Sequence, residues 1–169
     1  LKKIALSSRH LLGLINDILD MSKIESGRLI LKTEQVSLCQ VIQEAVSIVQ
    51  SQVKAKNQQF DVRIWNVSAE NVCCDSVRLN QVLLNLLGNA IKFTPEGGRI
   101  ELALHEEPSP KGKSHIRLQF QIKDNGIGMS QEFQAKIFDS FVREDNARIQ
   151  KTEGAGLGMA ITKYIVDAM

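Results

Sequence analysis

The chain has 169 residues, an apolar share of 43% and a formal net charge of +2. This length suits one domain with an appendage, and the apolar share is sufficient for one hydrophobic core. Because the basic residues are dispersed and do not gather into a stripe, the charge argues against a nucleic-acid partner.

The sequence contains no secretory signal peptide and no apolar run of about 18 residues. We therefore expect this region to be cytoplasmic. An inner-membrane anchor in a longer parent chain stays open.

The three cysteines are Cys39, Cys73 and Cys74. An odd number gives no disulfide framework and indicates a reducing compartment, so we expect thiols that pack in the core. The sequence has neither Cys-x-x-Cys spacing nor a close pair of histidines, which argues against a zinc site.

Residues 1–27 are predicted to form a helix that ends at Gly27 as its C-cap. Its apolar residues follow a heptad-like spacing and make a wider seam than a lone surface helix needs. They are Ile4, Leu11, Leu12, Leu14, Ile15, Ile18, Leu19 and Met21. Such a helix requires packing partners.

The pattern after residue 27 alternates helices with strands. Residues 28–36 are predicted to be a short connection into a strand, and a helix follows over residues 38–56, which Ser37 can cap. The next predicted elements are strands over 60–65 and 72–74, a helix over 76–93 capped by Asp75, strands over 99–105 and 115–123, a short helix over 130–138, and a last helix after Gly158. This order predicts an α+β fold, a two-layer sandwich with helices on one face of a mixed sheet.

The helix over residues 76–93 carries polar side chains beside its apolar stripe. Asn85 and Asn89 lie four residues apart and Lys92 follows three later, so the three side chains project from one side. An amide oxygen can ligate Mg²⁺, and a lysine can face a phosphate. For these three residues alone, an ordinary solvated polar face is the alternative.

Two glycine-bearing turns follow. Asp124-Asn-Gly-Ile-Gly128 comes after a strand of alternating apolar residues, where a carboxylate can accept a hydrogen bond from an exocyclic amine and glycines allow close approach to a ring. A plain hairpin turn is the alternative. Gly154-Ala-Gly-Leu-Gly158 precedes the last helix, whose first amides can form an anion site.

Together these motifs resemble those of sensor histidine kinases. Asn85 to Thr94 is similar to the N box, Asp124 to Gly128 to the first glycine box, Phe138 with Phe141 to the F box, and residues 154–161 to the second glycine box. The motifs stand in the family's order and extend over nearly the whole chain. The resemblance implies the ATP-binding sandwich shared by gyrase, chaperone, histidine-kinase and mismatch-repair ATPases.

The resemblance also implies a division of the chain. Residues 1–29 correspond to the second helix of the dimerisation and phosphoacceptor hairpin, and residues 30–169 to the ATP-binding catalytic domain. The first hairpin helix and the last two strands of the sheet are expected outside this sequence. Residues 142–153 correspond to a mobile lid over ATP, for which a plain surface loop is the alternative.

Roles for single residues follow from the resemblance. Asn89 is expected to be the main Mg²⁺ ligand with Asn85 assisting, Lys92 to contact phosphate, and Asp124 to hold the adenine amino group. The other residues expected at the nucleotide are Gly126, Gly128, Phe138, Phe141, Arg143, Gly154, Gly156, Leu157 and Gly158. For Arg143, a solvent-exposed loop charge is the alternative.

Position 85 separates two reaction types. In the hydrolysing relatives a glutamate four residues before the magnesium asparagine activates water, whereas the amide of Asn85 cannot take a proton at neutral pH. This disfavours a chaperone-like hydrolysing ATPase. A nucleotide-binding dimerisation or scaffold module without phosphotransfer is the alternative function.

The resemblance implies an ATP-dependent protein-histidine kinase. The γ-phosphoryl group of ATP would pass to a histidine outside this sequence, and then to an aspartate of a response-regulator receiver domain. The parent protein would be a homodimer through its dimerisation helices. His10 is followed by Leu11, Leu12 and Gly13, without the acidic residue and proline of the family's acceptor motif, so this chain is not expected to phosphorylate itself.

Overall fold

The computed structural model describes residues 2–112, 114–143 and 156–169. They divide into two compact units, one of Leu1–Lys32 with Met129–Met169 and one of Thr33–Gly128. The first is called the helical unit below and the second the sheet unit. The predicted boundary between residues 29 and 30 stays a prediction.

The described part of the chain contains five helices and five strands. They are α1 (Lys2–Glu25), β1 (Glu34–Ser37), α2 (Leu38–Ala55), β2 (Gln59–Trp65), β3 (Asn71–Cys74), α3 (Ser76–Phe93), β4 (Arg99–Glu107), β5 (Arg117–Asp124), α4 (Gln131–Gln134) and α5 (Gly158–Ala168). No helix among these residues is both long and apolar enough to cross a bilayer.

The sheet unit contains a three-stranded mixed sheet in the order β2-β4-β5. β4 lies in the centre, where it pairs in parallel with β2 and antiparallel with β5. β1 and β3 form a separate antiparallel pair. The predicted α+β fold with a mixed sheet is confirmed, while the separate two-stranded sheet was not predicted.

The core of the sheet unit lies between one face of the mixed sheet and the apolar faces of α2 and α3. β4 contributes Ile100, Leu102 and Leu104, which alternate along the strand and are fully buried. The helices contribute apolar residues at helical spacing, namely Leu38, Val41, Ile42, Ala45, Val49 and Val53 from α2 and Leu79, Leu83, Leu87, Ala90 and Ile91 from α3. This packing places the polar side of α3 away from the core.

The helical unit brings α5 against α1. α5 buries Ile161 and Ile165 completely, and Leu157 just before it is also buried. At the C-terminal end of α1, the amide of Arg28 donates to the carbonyl of Lys23 at 2.8 Å, and Gly27 adopts a φ of +66°. This is the glycine C-cap that the sequence predicts.

Much of the apolar seam of α1 is exposed. Leu11, Leu12, Ile15, Ile18 and Leu19 are each between 44% and 60% exposed. Such a row of exposed apolar side chains on one helix is consistent with the expectation that α1 requires further packing partners.

Two predictions about local structure were wrong in extent. The helix predicted over residues 130–138 is only Gln131–Gln134, because the chain then tightens into three-residue turns, with the amide of Lys136 donating to the carbonyl of Phe133 at 2.9 Å. β5 begins at Arg117 and not at residue 115.

The prediction of core thiols was also wrong for two of the three cysteines. Cys39 and Cys73 are exposed, and only Cys74 packs partly against the core. Cys39 lies outside the buried stripe of α2, which contains Leu38, Val41 and Ile42, and Cys73 alternates with Cys74 across the faces of β3. Burial of the Cys74 thiol raises its pKa, and the neighbouring Asp75 adds to this effect.

Candidate functional site

The polar side of α3 is held in place by the cap of this helix and by its buried stripe. Asp75 caps α3, since its carboxylate accepts a hydrogen bond from the amide of Arg78 at 3.0 Å. With the apolar stripe in the core, Asn85, Asn89 and Lys92 are half-buried. The helix therefore presents two amides and an ammonium on a fixed scaffold.

The ammonium group of Lys92 lies 5.0 Å from the centre of the Phe93 ring. At this distance the face of the ring attracts the cation. The contact holds the side chain of Lys92 beside Phe93, the last residue of α3, whose carbonyl is bonded to the first glycine turn.

β5 delivers Asp124 at its last position, where it is opposite Ile100 of β4. The Oδ1 atom of Asp124 accepts a hydrogen bond from the amide of Gly126 at 2.9 Å, so the side chain shapes the turn that follows it. Asp124 is exposed, and its carboxylate has a second acceptor oxygen, Oδ2. That oxygen is suited to accept a hydrogen bond from an amine.

The turn Asp124–Gly128 packs directly on the last turn of α3. The amide of Ile127 donates to the carbonyl of Phe93 at 3.2 Å, and a Cβ on Gly126 would lie 2.6 Å from the same oxygen. Gly128 has a φ of +69°, which favours glycine. The structure thus brings Asp124, Gly126 and Gly128 together with the end of α3 that carries Lys92.

The connection between α3 and β4 is equally tight. The Oδ1 atom of Asn125 accepts from the amide of Arg99 at 2.7 Å, and the amide of Asn125 donates to the carbonyl of Arg99 at 3.2 Å. A Cβ on Gly98 would lie 2.3 Å from the Cγ2 atom of Thr94. Close packing therefore fixes the end of α3 and the glycine turn as one piece.

Two further residues support this end of α3, and sequence reasoning missed them. Lys56 and Gln58, which follow α2, donate side-chain hydrogen bonds to carbonyl groups at the end of α3. Their partners are more than 30 residues away in the sequence. The only local signal is a lysine and a glutamine beside a predicted helix end, and this signal does not reveal the distant carbonyls.

The remaining predicted site residues belong to the helical unit. The amide of Phe141 donates to the carbonyl of Gly156 at 3.1 Å, and both residues have positive φ, +64° and +73°. A Cβ on Gly156 would lie 2.8 Å from the carbonyl oxygen of Val142. The F box and the second glycine box are therefore in contact with each other.

The individual side chains of this second group differ in exposure. Phe138 is 48% and Phe141 66% exposed, and Arg143 is also exposed. Leu157 is buried, and Gly158 begins α5. Gly154 and most of the predicted lid, residues 144–153, lie outside the described residues.

The donor set on α3 limits the kind of metal ion that fits. Within residues 2–112, 114–143 and 156–169 no group of three or more His, Cys, Asp or Glu side chains could hold a metal. The amide oxygens of Asn85 and Asn89 are neutral, hard ligands, and they suit Mg²⁺ that shares its coordination with phosphate oxygens and water.

Known proteins resemble this chain in sequence and in fold. Residues 74–169 match the family of histidine kinase-, DNA gyrase B- and HSP90-like ATPases. The chain is 37% identical over 164 residues to hybrid signal transduction histidine kinase C of Dictyostelium discoideum, covering 96% of this chain and 13% of that protein. It is 35% identical over 169 residues to the signal transduction histidine-protein kinase BarA of Escherichia coli K12, covering 100% of this chain and 18% of that protein.

A solved structure extends the likeness to three dimensions. The crystal structure of full-length ShkA in complex with AMPPNP superposes with a TM-score of 0.78 and 28% identity, over 99% of this chain and 33% of that chain. The chain spans less than a fifth of the length of the two curated relatives. The chain belongs to the family of histidine kinase-, DNA gyrase B- and HSP90-like ATPases, and over nearly its whole length it is similar to part of proteins named as histidine kinases.

Proposed function

We propose that this region binds ATP with Mg²⁺ on the polar side of α3 and donates the γ-phosphoryl group to a histidine outside the 169 residues. The observation that carries the proposal is the packing of the Asp124–Gly128 turn on the last turn of α3, through the hydrogen bond from Ile127 to the Phe93 carbonyl. The turn proposed to hold adenine and the helix face proposed to bind phosphate belong to one compact unit, which supports this assignment.

Each residue of the sheet unit has a distinct part in this proposal. The exposed carboxylate of Asp124 accepts from the amino group of adenine, and the lack of side chains at Gly126 and Gly128 leaves room for the ring. Asn89 holds Mg²⁺ with help from Asn85. Bound Mg²⁺ supplies positive charge that balances the phosphates.

Lys92 adds a second positive charge at the phosphate end. An ammonium near the phosphates stabilises the negative charge that collects on the leaving ADP. A histidine nitrogen then forms a bond to the γ-phosphorus while the bond from phosphorus to the β,γ-bridging oxygen breaks. Catalysis by this region is mainly positioning and charge compensation.

The lack of a general base at position 85 favours a protein acceptor over water. The amide of Asn85 cannot remove a proton from water at neutral pH. An imidazole attacks through its own lone pair and requires less activation. The phosphoryl group would then pass to an aspartate of a receiver domain.

The helical unit completes the proposal. Phe138, Phe141, Arg143, Gly154, Gly156, Leu157 and Gly158 are proposed to border the nucleotide, with the second glycine box at the phosphates. The apolar seam of α1 is proposed to form the homodimer of the parent protein, since five of its large apolar residues are exposed in this chain. The cytoplasmic location of the region stays a prediction.

Nucleotide selectivity tests the base contact. Asp124→Asn keeps an oxygen that can accept from the Gly126 amide, but its side-chain amide offers the base one acceptor and one donor group in place of a carboxylate. The loss of one charge-assisted hydrogen bond, about 1.5–3 kcal/mol, corresponds to a decrease in affinity of roughly ten- to over a hundredfold. A fluorescent ATP analogue is titrated against wild type, Asp124→Asn and the control Glu70→Gln, which neutralises an exposed carboxylate elsewhere in the sheet unit. Equal affinity in all three, or competition by GTP as strong as by ATP, contradicts the assignment.

Phosphotransfer is tested in the parent chain that includes the first hairpin helix. Incubation with ATP labelled at the γ-phosphate should give acid-labile, alkali-stable phosphate on protein, and Asn89→Ala should abolish it. Nucleotide binding without any such phosphate would favour the scaffold module instead.

A further inference from the structure

The C-terminal end of α3 is capped by two side chains from the connection between α2 and β2. The ammonium group of Lys56 donates to the carbonyl oxygens of Ile91, Lys92 and Thr94 at 2.8, 3.0 and 2.9 Å. The amide nitrogen of Gln58 donates to the carbonyls of Ile91 and Thr94 at 3.1 and 2.7 Å. An ammonium has three N–H groups, and each has one of these carbonyls as its acceptor.

Such a cap is suited to a helix end. The last four carbonyl groups of a helix have no partner within the helix, and they form the negative end of its dipole. In α3, Ala90 accepts from the Thr94 amide, Ile91 and Lys92 accept from Lys56, and Phe93 accepts from the Ile127 amide. All four terminal carbonyls are therefore hydrogen-bonded, and a cation compensates two of them.

The cap is part of a larger contact between two connections of the chain. The amide of Gly97 donates to the carbonyl of Lys56 at 3.0 Å, and the amide of Gln59 donates to the carbonyl of Gly98 at 2.8 Å. The side-chain amide of Asn57 donates to Glu96 at 2.8 Å. Backbone and side chains thus join the α2–β2 connection to the α3–β4 connection along their length.

The end of α3 has the glycine turn as a second neighbour. The Phe93 carbonyl accepts from Ile127, and Gly126 passes so close to the same oxygen that a Cβ would not fit. A small rotation of the last turn of α3 would therefore move the Phe93 carbonyl away from the Ile127 amide. It would also move Lys92, which precedes Phe93 directly.

We propose that Lys56 is a positioning residue of the ATP site, and that Gln58 assists it. Lys56 acts through the three carbonyls and fixes the last turn of α3, so that Lys92 and Asn89 keep their distance to the Asp124–Gly128 turn. This inference rests on the proposed function, since it assigns the nucleotide to that helix face and that turn.

The test compares Lys56→Met with Lys54→Met in the 169-residue chain. Both substitutions remove an ammonium near the end of α2 and leave an unbranched side chain of similar length, but Lys54 is exposed. Lys56→Met is expected to weaken binding of Mg·AMPPNP about tenfold by calorimetry well below the melting temperature, because charge-assisted hydrogen bonds are lost. Lys54→Met should bind like wild type.

A readout without nucleotide separates positioning from global stability. In Lys56→Met, amide hydrogen exchange should become faster at Thr94 and Ile127, which are bonded to the end of α3, but not at Leu83 in its middle. Gln58→Met should show the same pattern with a smaller effect, and it serves if Lys56→Met does not fold. Lys56→Arg, which keeps a cationic donor, should restore part of the affinity.

The outcomes distinguish this inference from the proposed function. Failure of the wild-type chain to bind the nucleotide overturns the proposed function and, with it, the role of Lys56 at an ATP site. Binding by wild type that is unchanged in Lys56→Met overturns the inference alone. Equal acceleration of exchange at Leu83, Thr94 and Ile127 also overturns it, because that pattern is loss of overall stability.

Discussion

Phe93 and Gly126 approach each other so closely that only glycine fits at position 126. A Cβ there would lie 2.6 Å from the carbonyl oxygen of Phe93 and 2.7 Å from the Oδ1 atom of Asp124. The Phe93 oxygen belongs to α3 and the Asp124 oxygen to the Asp124–Gly128 turn, and the proposed nucleotide site requires both segments. The glycine is therefore a condition for joining the turn to the helix, in addition to any contact with a base.

Gly126→Ala should separate these two segments. Relief of the clash requires a shift of backbone atoms, which costs about 1–3 kcal/mol for an overpacked site. We expect a loss of stability and weaker binding of Mg·ATP, measured by urea unfolding and calorimetry. Gly13→Ala is the matched control, because a Cβ there meets no atom within 4 Å and alanine stabilises a helix by about 0.5–1 kcal/mol over glycine. A Gly126→Ala chain as stable as wild type would show that the approach is not restrictive.

Asn89→Ala should remove the gain in nucleotide affinity that Mg²⁺ provides. The amide oxygen is the proposed metal ligand, so ADP binding in the presence of a chelator should change little. Calorimetry with and without Mg²⁺ measures the difference. Asn71→Ala, which truncates an exposed amide in β3, is the control. If the Mg²⁺-dependent increment survives in Asn89→Ala, another residue holds the metal.

Asp75→Ala should destabilise the sheet unit by about 1 kcal/mol, the usual loss for an N-cap. The carboxylate of Asp75 accepts from the amide of Arg78 at 3.0 Å, and alanine leaves that amide without this acceptor. Asp75→Ser retains a capping oxygen and should recover most of the loss. Chemical denaturation followed by circular dichroism gives both values, and equal stability of the alanine and serine variants would argue against the cap.

Acid should weaken the contact between Ser68 and Glu106. The amide and hydroxyl of Ser68 donate to Oε2 of Glu106 at 2.8 and 2.6 Å, and these bonds hold the pKa of that carboxyl below its usual value of 4.5. A carboxyl group whose pKa is lower in the folded than in the unfolded state stabilises the fold at pH values above its unfolded-state pKa. This stabilisation is lost as the pH falls through the folded-state pKa.

Ser68→Ala should therefore destabilise the chain at pH 7, with a difference from wild type that shrinks as the pH falls below about 4.5. Urea unfolding across pH 2–7 provides the measurement. In a Glu106→Gln background the same substitution should have no such pH dependence. A constant difference in the Glu106 background would mean that the hydroxyl acts on another group.

Helix α3 could be predicted from the sequence because its determinants are local. Its apolar spacing and its cap, Asp75, lie within the helix or directly beside it. The same holds for Ser37 at the start of α2 and Gly27 after α1. The turn at Asp124 could be placed because an alternating strand leads to it. In each case periodicity and one capping or turn residue are sufficient.

The features that could not be predicted depend on partners far away in the chain. Lys56 and Gln58 donate hydrogen bonds to carbonyl groups at the end of α3, and β1 pairs with β3 outside the main sheet. The exposure of Cys73 follows from the packing of the other face of β3, which carries Cys74, against the core. Periodicity does not specify which distant element a given face meets, so these contacts appear only in the folded chain.

The central place of β4 has a consequence for the order of folding. Gln59 in β2 pairs with Arg99 in β4, with β3 and the whole of α3 between them. Parallel pairing of β2 with β4 closes a loop that contains β3 and α3, and the entropy of closing this loop opposes the pairing. Formation of α3 as a compact local element shortens the distance between the two strands that must be closed. During synthesis the apolar face of α2 thus has no sheet to cover until the ribosome has passed Glu107. The mixed sheet cannot close before β4 is available, because β2 and β5 each pair with β4 and not with each other.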